Sequence, residues 1–580
     1  MPATLQLHPG RLAGALTTGL TRLAEARVFD RIWLQDPALW SDAPDVQDRI
    51  RRRLGWVRIP HAMSGRPVRE LAEWARSLRE LGLTHAVLLG MGGSSLFADV
   101  AVRIFGPRAE ALALTVLDTT DPAAILAARE RLPLADTLAI VSSKSGTTAE
   151  TNALWRYFEA AFRESGARPG VHCAIVTDSG TPLEQLARTL PARRAYTLDA
   201  ATGQDIGGRY SALSYFGLVP SALMGLNVER LIASGQRAGA ACGPRVALEA
   251  NPAAALGALM AEGARAGRNK ITFLPSPDLE AFGTWAEQLI AESTGKGGQG
   301  VVPVVGESRR DPGAYGEDRL LIELQLAGRI DPELRRATDS YIAAGHPVVR
   351  IEWEDRYDLG GEAFTWCLAT AAAGALLGVN PFDEPDVNAT KLHTSGVLSR
   401  YERDGRLESP APLLAHGDLA VYGTGASGAT SLAGLLGSFL RQIRSGDYLA
   451  LLSFLPQTAS VSAAVRSLAD RLGSRLGVAA FVQTGPRYLH STGQLHKGGP
   501  EAGVFLELTG DDPSDLPIPG ARYSFGVLKQ AQAFGDFEAL RQRGRRLLRV
   551  HLSGDPDAAL ARLARALEDA LAPAKPARRR

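Results

Sequence analysis

The chain has 580 residues, 64 of them basic and 62 acidic, for a formal charge of +2. A surface so nearly balanced offers nucleic acid and membranes no electrostatic pull, and the length predicts roughly three to five units of domain size with room for several cores. Apolar runs are too short to cross a bilayer, and Met1 to Gly10 lacks a basic-then-apolar leader pattern, so a cytoplasmic location is expected. Cys173, Cys242 and Cys367 are far apart and match no metal spacing; they read as reduced, buried thiols. Only seven basic residues are Lys, at 144, 270, 296, 391, 497, 529 and 575. Where Arg is written nearly everywhere else, Lys hints at places that need a compact, titratable ammonium.

In chain order, residues 1–80 read as helical and amphipathic, with Trp33, Leu34, Trp40, Leu54 and Trp56 as packing anchors around Pro-containing turns. From Leu83 to about Leu198, β-runs near 84–89, 112–117, 137–142 and 171–177 alternate with helical stretches, which predicts an α/β unit with a doubly wound parallel sheet. His85 and His172 open such strands and read as structural. Two loops stand out. Thr84 to Leu89 runs into Gly90-Met91-Gly92-Gly93-Ser94-Ser95, and Thr137 to Val141 runs into Ser142-Ser143-Lys144-Ser145-Gly146-Thr147-Thr148, followed by helix-like Ala149 to Ala160. In the second loop, small hydroxyl residues and Gly let backbone N–H groups converge, the helix N-terminus adds positive potential, and Lys144 adds a mobile charge. That is a phosphate cradle. The plainer reading is a Ser/Thr-rich loop that caps a helix. The first loop nearly matches a dinucleotide fingerprint, with Asp118 ending the next strand, but two phosphate-type loops on adjacent strands favour a sugar phosphate.

Thr202 to Ser211 contains Gly207-Gly208-Arg209-Tyr210-Ser211 before an apolar helix from Ala212 to Leu226. Its two glycines allow close backbone approach to a ligand and would bring Arg209 to it; the alternative is a surface Arg paired with Asp205. A second α/β unit follows: helix Pro252 to Gly267, strand Lys270 to Leu274, and helix Phe282 to Ala291 leading into Glu292-Ser293-Thr294-Gly295-Lys296. A carboxylate at a helix end before a glycine turn can face a ligand, and Gln288 lies on the same helix face. Helix Gly361 to Leu377 then leads to Asn380-Pro381-Phe382-Asp383-Glu384-Pro385-Asp386-Val387 and Lys391, with His393 as a solvent-facing helix residue. The Gly-rich turns at 422–428 read as a linker into a C-terminal unit, which carries Leu489-His490-Ser491-Thr492-Gly493-Gln494-Leu495-His496-Lys497 and the strand Val504 to Leu508. The tail after Leu571 is Pro-rich and basic and is expected to be disordered.

These motifs together resemble the phosphoglucose isomerase family. Gly90 to Ser95 and Ser143 to Thr148 look like the phosphate loops of its first sugar-isomerase (SIS) domain, and 207–211, 292–296 and 380–391 look like its later motifs. The resemblance implies a fold of two SIS domains, at 81–240 and 241–400, behind a helical region at 1–80. It implies Glu292 as the base that moves a proton between C1 and C2, Arg209 as the stabiliser of the enediolate, and Lys391 and a histidine in ring opening. Substrate contacts would come from Gly93, Ser94, Ser143, Lys144, Ser145, Thr148, Gly208 and Gln288. Two departures stand out. Glu384 occupies a position where Gln is usual, and a carboxylate there repels a phosphate unless it is paired. The segment at 314–318 lacks the expected histidine, whose motif reappears as Leu489 to Gln494.

The C-terminal unit, 401–571, therefore reads as a partial repeat of the second SIS domain, with Tyr448 to Leu455 paralleling Lys270 to Leu274 and Arg546 to Val550 paralleling Pro347 to Ile351. The layout is similar to the isomerase half of bifunctional transaldolase/phosphoglucose isomerases, which implies a possible link to a transaldolase. His490 would act from an internal pseudo-partner in a monomer or across a homodimer; the plain alternative is that His490 and His496 are surface residues in a mobile loop. The expected activity is interconversion of glucose 6-phosphate and fructose 6-phosphate, with a sugar phosphate as ligand and no metal or other cofactor. A non-catalytic sugar-phosphate sensor, a dual phosphoglucose/phosphomannose isomerase and a dinucleotide-dependent enzyme are the competing readings.

Overall fold

A computed structural model describes residues 3–199, 206–408, 410–423 and 431–572. The loop residues Thr202 to Asp205, the glycine turns at 425–428 and the basic tail from 573 on lie outside the described residues. Three sheets organise the rest. Strand β1 (Thr4–His8) comes first, and after a helical stretch β2 (His85–Leu89), β3 (Ala113–Leu117), β4 (Thr137–Ser142), β5 (Cys173–Asp178) and β6 (Arg194–Leu198) form an all-parallel sheet in the order β3-β2-β4-β5-β6. β4 is buried at every position, as a central parallel strand covered by helices on both faces must be. Strands β7 (Lys270–Pro275), β8 (Val302–Val304), β9 (Arg319–Leu326) and β10 (Val348–Trp353) take up β1 in a second sheet, β1-β10-β9-β7-β8.

The third sheet comprises β11 (Leu414–His416), β12 (Leu419–Gly423), β13 (Tyr448–Phe454), β14 (Ala479–Thr484), β15 (Gly503–Gly510) and β16 (Arg546–Leu552), in the order β11-β12-β16-β15-β13-β14. From β12 onward its order reproduces that of the second sheet strand for strand. In each, one strand pairs antiparallel (β1 on β10, β12 on β16) and the next four run parallel; β1 is an edge, whereas β11 covers β12.

The chain's first eighty residues are not all helical. Thr4–His8 alternates polar and apolar residues and pairs with β10 in the register Thr4↔Glu352 to His8↔Val348. A five-residue run has no periodicity of its own strong enough to announce this, and the open edge of β10 decides it. Trp40, Leu54 and Trp56 are buried as expected, but Leu34 is 76% exposed. It caps the Val28–Trp33 helix, and Trp33 alone turns inward, edge-on to Phe364. The apolar helix after Arg209 is shorter than its composition suggests, Tyr215–Leu223, because the Ser214 hydroxyl accepts from the Phe216 N–H and fixes its start. The helix before Glu292 is longer, Phe282–Thr294, so that Glu292 projects from its last turn.

Cores join these layers. One large cluster spans the N-terminal helices, one face of the first sheet and the second sheet. The opposite face of the first sheet packs against Ile518, Phe525 and Leu528 of the C-terminal unit, and the third sheet shares a core with Ala291, Val302 and Val304. The C-terminal unit is thus cemented onto both earlier sheets by burial. Among the described residues no helix is long and apolar enough to cross a membrane.

Candidate active site

The loop after β4 closes on its own hydroxyls. Ser143 Oγ and Thr148 Oγ1 are 2.9 Å apart, the Gly146 N–H donates to Ser143 Oγ at 3.2 Å, and Ser145 Oγ meets Thr147 Oγ1 at 2.9 Å. Gly146 adopts φ +69°, a conformation glycine reaches without strain. The helix Ala149–Glu164 starts directly behind the loop, and Lys144 is ion-paired with Asp178 at the end of β5. The loop after β2 lies alongside, with the Ser142 hydroxyl donating to the Ser94 carbonyl at 3.1 Å. Gly93 meets the next functional turn by backbone: a Cβ there would fall 2.1 Å from the Gly208 carbonyl oxygen. No larger residue fits without moving that turn.

That turn, Gly208–Tyr210, carries Arg209, which is 2% exposed; the alternative of a surface arginine is overturned. Its Nε donates to Ser293 Oγ at 2.8 Å, Nη2 to the carbonyls of Pro381 at 2.7 Å and Asp383 at 2.9 Å, and Nη1 to Glu384 Oε2 at 3.2 Å. Glu292 Oε1 lies 3.5 Å from the same Nη1. Burial works against the Arg209 charge, but Glu292 and Glu384 more than offset it. Burial also raises Glu292 above the ordinary carboxylate range, and the neighbouring Glu384 adds to this, against the opposing pull of Arg209. Gln288 Nε2 donates both to Glu292 Oε2 at 3.1 Å and to the His490 carbonyl at 2.7 Å. Lys296 anchors the floor through Asp383 at 3.0 Å and the Ser293 carbonyl at 3.3 Å, and burial pushes its pKa down to about 8.

His490 closes the arrangement from the C-terminal unit. Its Nε2 donates to Glu150 Oε1 at 2.8 Å, and that carboxylate also accepts from Gln532 Nε2 at 2.6 Å. Burial alone would raise Glu150, yet the His490 contact lowers it below the ordinary value. His490 is held in place by its neighbours. Arg487 pairs with Asp99 at 2.7 Å and Asp118 at 2.9 Å, while Gln494 donates to the Gly295 carbonyl at 3.0 Å. Asp118, the residue a dinucleotide reading would give to a ribose, is therefore occupied. His496 is fully buried against the rings of Tyr448, Tyr488 and Phe505, and burial holds it well below its usual pKa. Neither histidine is a surface residue in a mobile loop.

One cavity of about 470 Å3 gathers these groups: Gly93, Ser94, Lys144, Ser145, Thr148, Gly208, Arg209, Gln288, Glu292, Lys391 and His490 all line it. Of the residues that the family resemblance assigns to catalysis or substrate contact, Ser143 alone stands behind its wall, bonded to Thr148. Lys391 reaches the cavity from the helix Val387–Asp404. His393, two residues on, is half-buried at the surface, where its Nε2 meets Gln542 Oε1 at 3.1 Å as the helix packs on Phe525–Gln542. Lys497 also departs from its hint, forming a buried pair with Asp536 at 2.5 Å rather than reaching the cavity.

Sequence reasoning missed four groups. Arg52 and Arg53 line the cavity from the N-terminal helical region, where nothing in the local pattern announces them. Asp178 pairs with Lys144, and its place at the end of a parallel strand beside the cradle was the available signal. Glu150 sits inside the loop-to-helix motif but becomes legible only through His490. Among the described residues no group of three His, Cys, Asp or Glu side chains is placed to hold a metal ion.

The family model for phosphoglucose isomerase matches residues 70–301. A probable glucose-6-phosphate isomerase of Natronomonas pharaonis is 28% identical over 423 residues, 67% of this chain and 94% of the relative. One of Haloarcula marismortui is 33% identical over 353 residues, 54% of this chain and 77% of the relative. Among solved structures, a glucose-6-phosphate isomerase from Chlamydia trachomatis superimposes with TM-score 0.57 at 17% identity, covering 66% of this chain and 86% of that one. A hypothetical protein from Thermus thermophilus gives 0.55 at 23%, covering 68% and 99%. These two likenesses establish the mixed α/β fold with its parallel sheets. With a third of the aligned residues shared over most of the Haloarcula relative's length, this chain belongs to the phosphoglucose isomerase family.

Proposed function

We propose that the protein is a glucose-6-phosphate isomerase, interconverting glucose 6-phosphate and fructose 6-phosphate through a cis-enediol. The reading accords with the names of the relatives, and one observation carries it: a buried carboxylate, a buried arginine, a lysine and a carboxylate-bound histidine line the same cavity as the hydroxyl-rich loop. The sugar phosphate's anionic group would bind at Ser145, Thr148 and Lys144, by the Ala149–Glu164 helix N-terminus. Remote phosphate binding then holds C1 and C2 near Glu292.

Lys391 and His490 would open the ring by moving a proton between the ring oxygen and the anomeric hydroxyl. Glu292 takes the C2 proton, the C2–H electron pair forms the C1–C2 double bond, and the C1 carbonyl oxygen gains a proton. The same carboxyl then returns a proton to C1 as the C2 hydroxyl becomes the carbonyl. A base raised above the usual carboxylate range suits the first step, and its protonated form suits the second. Arg209 would offset charge on the enediolate oxygens, a contribution of about 2.7–4 kcal/mol if it acts like one oxyanion-hole donor. His490 acts in cis on this reading, with the C-terminal unit as an internal partner; the C2 epimer, mannose 6-phosphate, shares the phosphate and C1 contacts but has H and OH exchanged at C2, so C2 must turn to bring its proton to Glu292.

The test is conversion of fructose 6-phosphate by the purified protein beside Glu292→Gln. Wild-type turnover and a loss of at least ~10²-fold in the variant, the lower end for a general base, are expected. Ligand binding by both proteins without turnover by either would replace the isomerase with a sugar-phosphate sensor.

A further inference from the structure

Arg209 has five N–H donors, and four have partners other than Glu384. Nε is taken by Ser293, both Nη2 hydrogens by the Pro381 and Asp383 carbonyls, and one side of Nη1 faces Glu292 at 3.5 Å. Whatever Arg209 offers a substrate oxygen must come from Nη1, and Glu384 Oε2 occupies Nη1 at 3.2 Å. The other Glu384 oxygen, Oε1, points to Arg53 Nη2 at 3.9 Å, at the cavity wall. We infer that Glu384 is a positioning residue of the isomerase site, a carboxylate that holds the Arg209 guanidinium beside Glu292 in the free enzyme and transfers to Arg53 when substrate claims Nη1.

The inference rests on the isomerase reading and deepens it. Two consequences follow from charge. In the empty site two carboxylates share one guanidinium, so Glu292 receives only part of the Arg209 attraction and feels Glu384 as a like charge. Glu292 is thereby kept a stronger base than Arg209 alone would leave it. The remaining groups that face it are Gln288 on its own helix, Lys296 below it and Asp383 beyond Lys296. Glu384 is half-buried, with 35% of its side chain exposed, and so has room to turn between the two arginines. Its pKa lies below the ordinary value; burial opposes this, but Arg209 and Arg53 prevail, so it stays anionic across the working range.

The test is the pH profile of kcat/KM for wild type, Glu384→Gln and Glu384→Asp. Removing the like charge should move the acidic limb of Glu384→Gln down by about 1 pH unit, the lower end of what one neighbouring charge exerts, while Glu384→Asp keeps the wild-type limb. Arg53→Gln should move the limb upward in the wild-type background and much less in Glu384→Gln, a non-additivity expected only if the two side chains share one interaction. A carboxylate that merely braces the 380–385 turn would lower activity evenly and leave the limb in place, and that result overturns the inference. Carboxyl ¹³C NMR of glutamate-labelled protein, with the Glu292 signal identified by its loss in Glu292→Gln, reads the same titration without turnover. An unmoved Glu292 titration in Glu384→Gln overturns the inference; absence of wild-type turnover overturns the isomerase reading instead.

Discussion

At the scale of single residues, the site is organised by carboxylates whose environments differ. Glu292 and Glu150 are both buried, yet one is pushed above and the other held below the ordinary range, because Glu292 shares a single arginine with Glu384 whereas Glu150 has His490 to itself. A base and an ion-pair anchor are separated by this difference. With Glu150 Oε1 accepting from Nε2–H, the imidazole presents Nδ1 as its second functional atom. Glu150→Gln can donate as well as accept and removes the bias toward that tautomer. It should reduce kcat/KM for fructose 6-phosphate by about 10²-fold or more, by analogy with the loss when a histidine-orienting carboxylate becomes an amide. The steady-state assay should show the loss mainly in kcat, since the Glu150 carboxylate bonds to His490 and Gln532 and not to the loop's hydroxyls. An effect confined to KM would assign Glu150 to binding.

At the scale of elements, helices deliver the site residues and bear its costs. Asp358–Leu377 is buried along nearly its whole length and carries Glu362, whose pKa burial pushes up to about 8 against the Trp366 indole N–H, its side-chain donor among the described residues. The folded state therefore holds a proton that the unfolded chain, near 4.5, has released. The contribution of Glu362 to stability is whole below the unfolded value and is lost as pH rises toward about 8, at up to about 1.4 kcal/mol per pH unit. Glu362→Gln, which stays neutral, should lose less stability than wild type between pH 5 and 8 in urea unfolding. Parallel pH dependences for the two proteins would mean that water or a rearranged partner satisfies the ionised carboxylate.

At the scale of the whole molecule, the decisive feature is that the third sheet's unit completes a cavity built by the first two. Arg487 ties it to Asp99 and Asp118, Lys529 forms a buried pair with Asp121 at 2.8 Å, and Gln494 bonds to Gly295 and Asp386. A Cβ on Gly295 would fall 2.5 Å from Leu495 Cα, so the two units approach to backbone contact next to Glu292. If His490 serves its own chain, separately purified Glu292→Gln and His490→Ala proteins mixed under subunit-exchange conditions should recover no activity above either alone. Wild-type specific activity should also be independent of protein concentration on dilution. Recovery on mixing would mean that the histidine crosses between chains.

Much of the site was legible in the sequence because its constraints are local. The glycine at φ +69°, hydroxyls clustered before a helix, and Gln288 four residues ahead of Glu292 on one face are written in short spacings that no distant contact can alter. The sparse lysines were a partial guide, since Lys270, Lys497 and Lys529 serve buried structural pairs instead of the cavity. What the tertiary structure alone decided are the pairings across long separations. Glu150 meets His490 at 340 residues' distance, Arg209 lies between Glu292 and Glu384, Arg52 and Arg53 arrive from a helical region with no visible chemistry, and Thr4–His8 becomes a strand on the open edge of β10. Such contacts depend on where burial docks one sheet against another, and the side chains that meet there carry no local mark of the partner they will find.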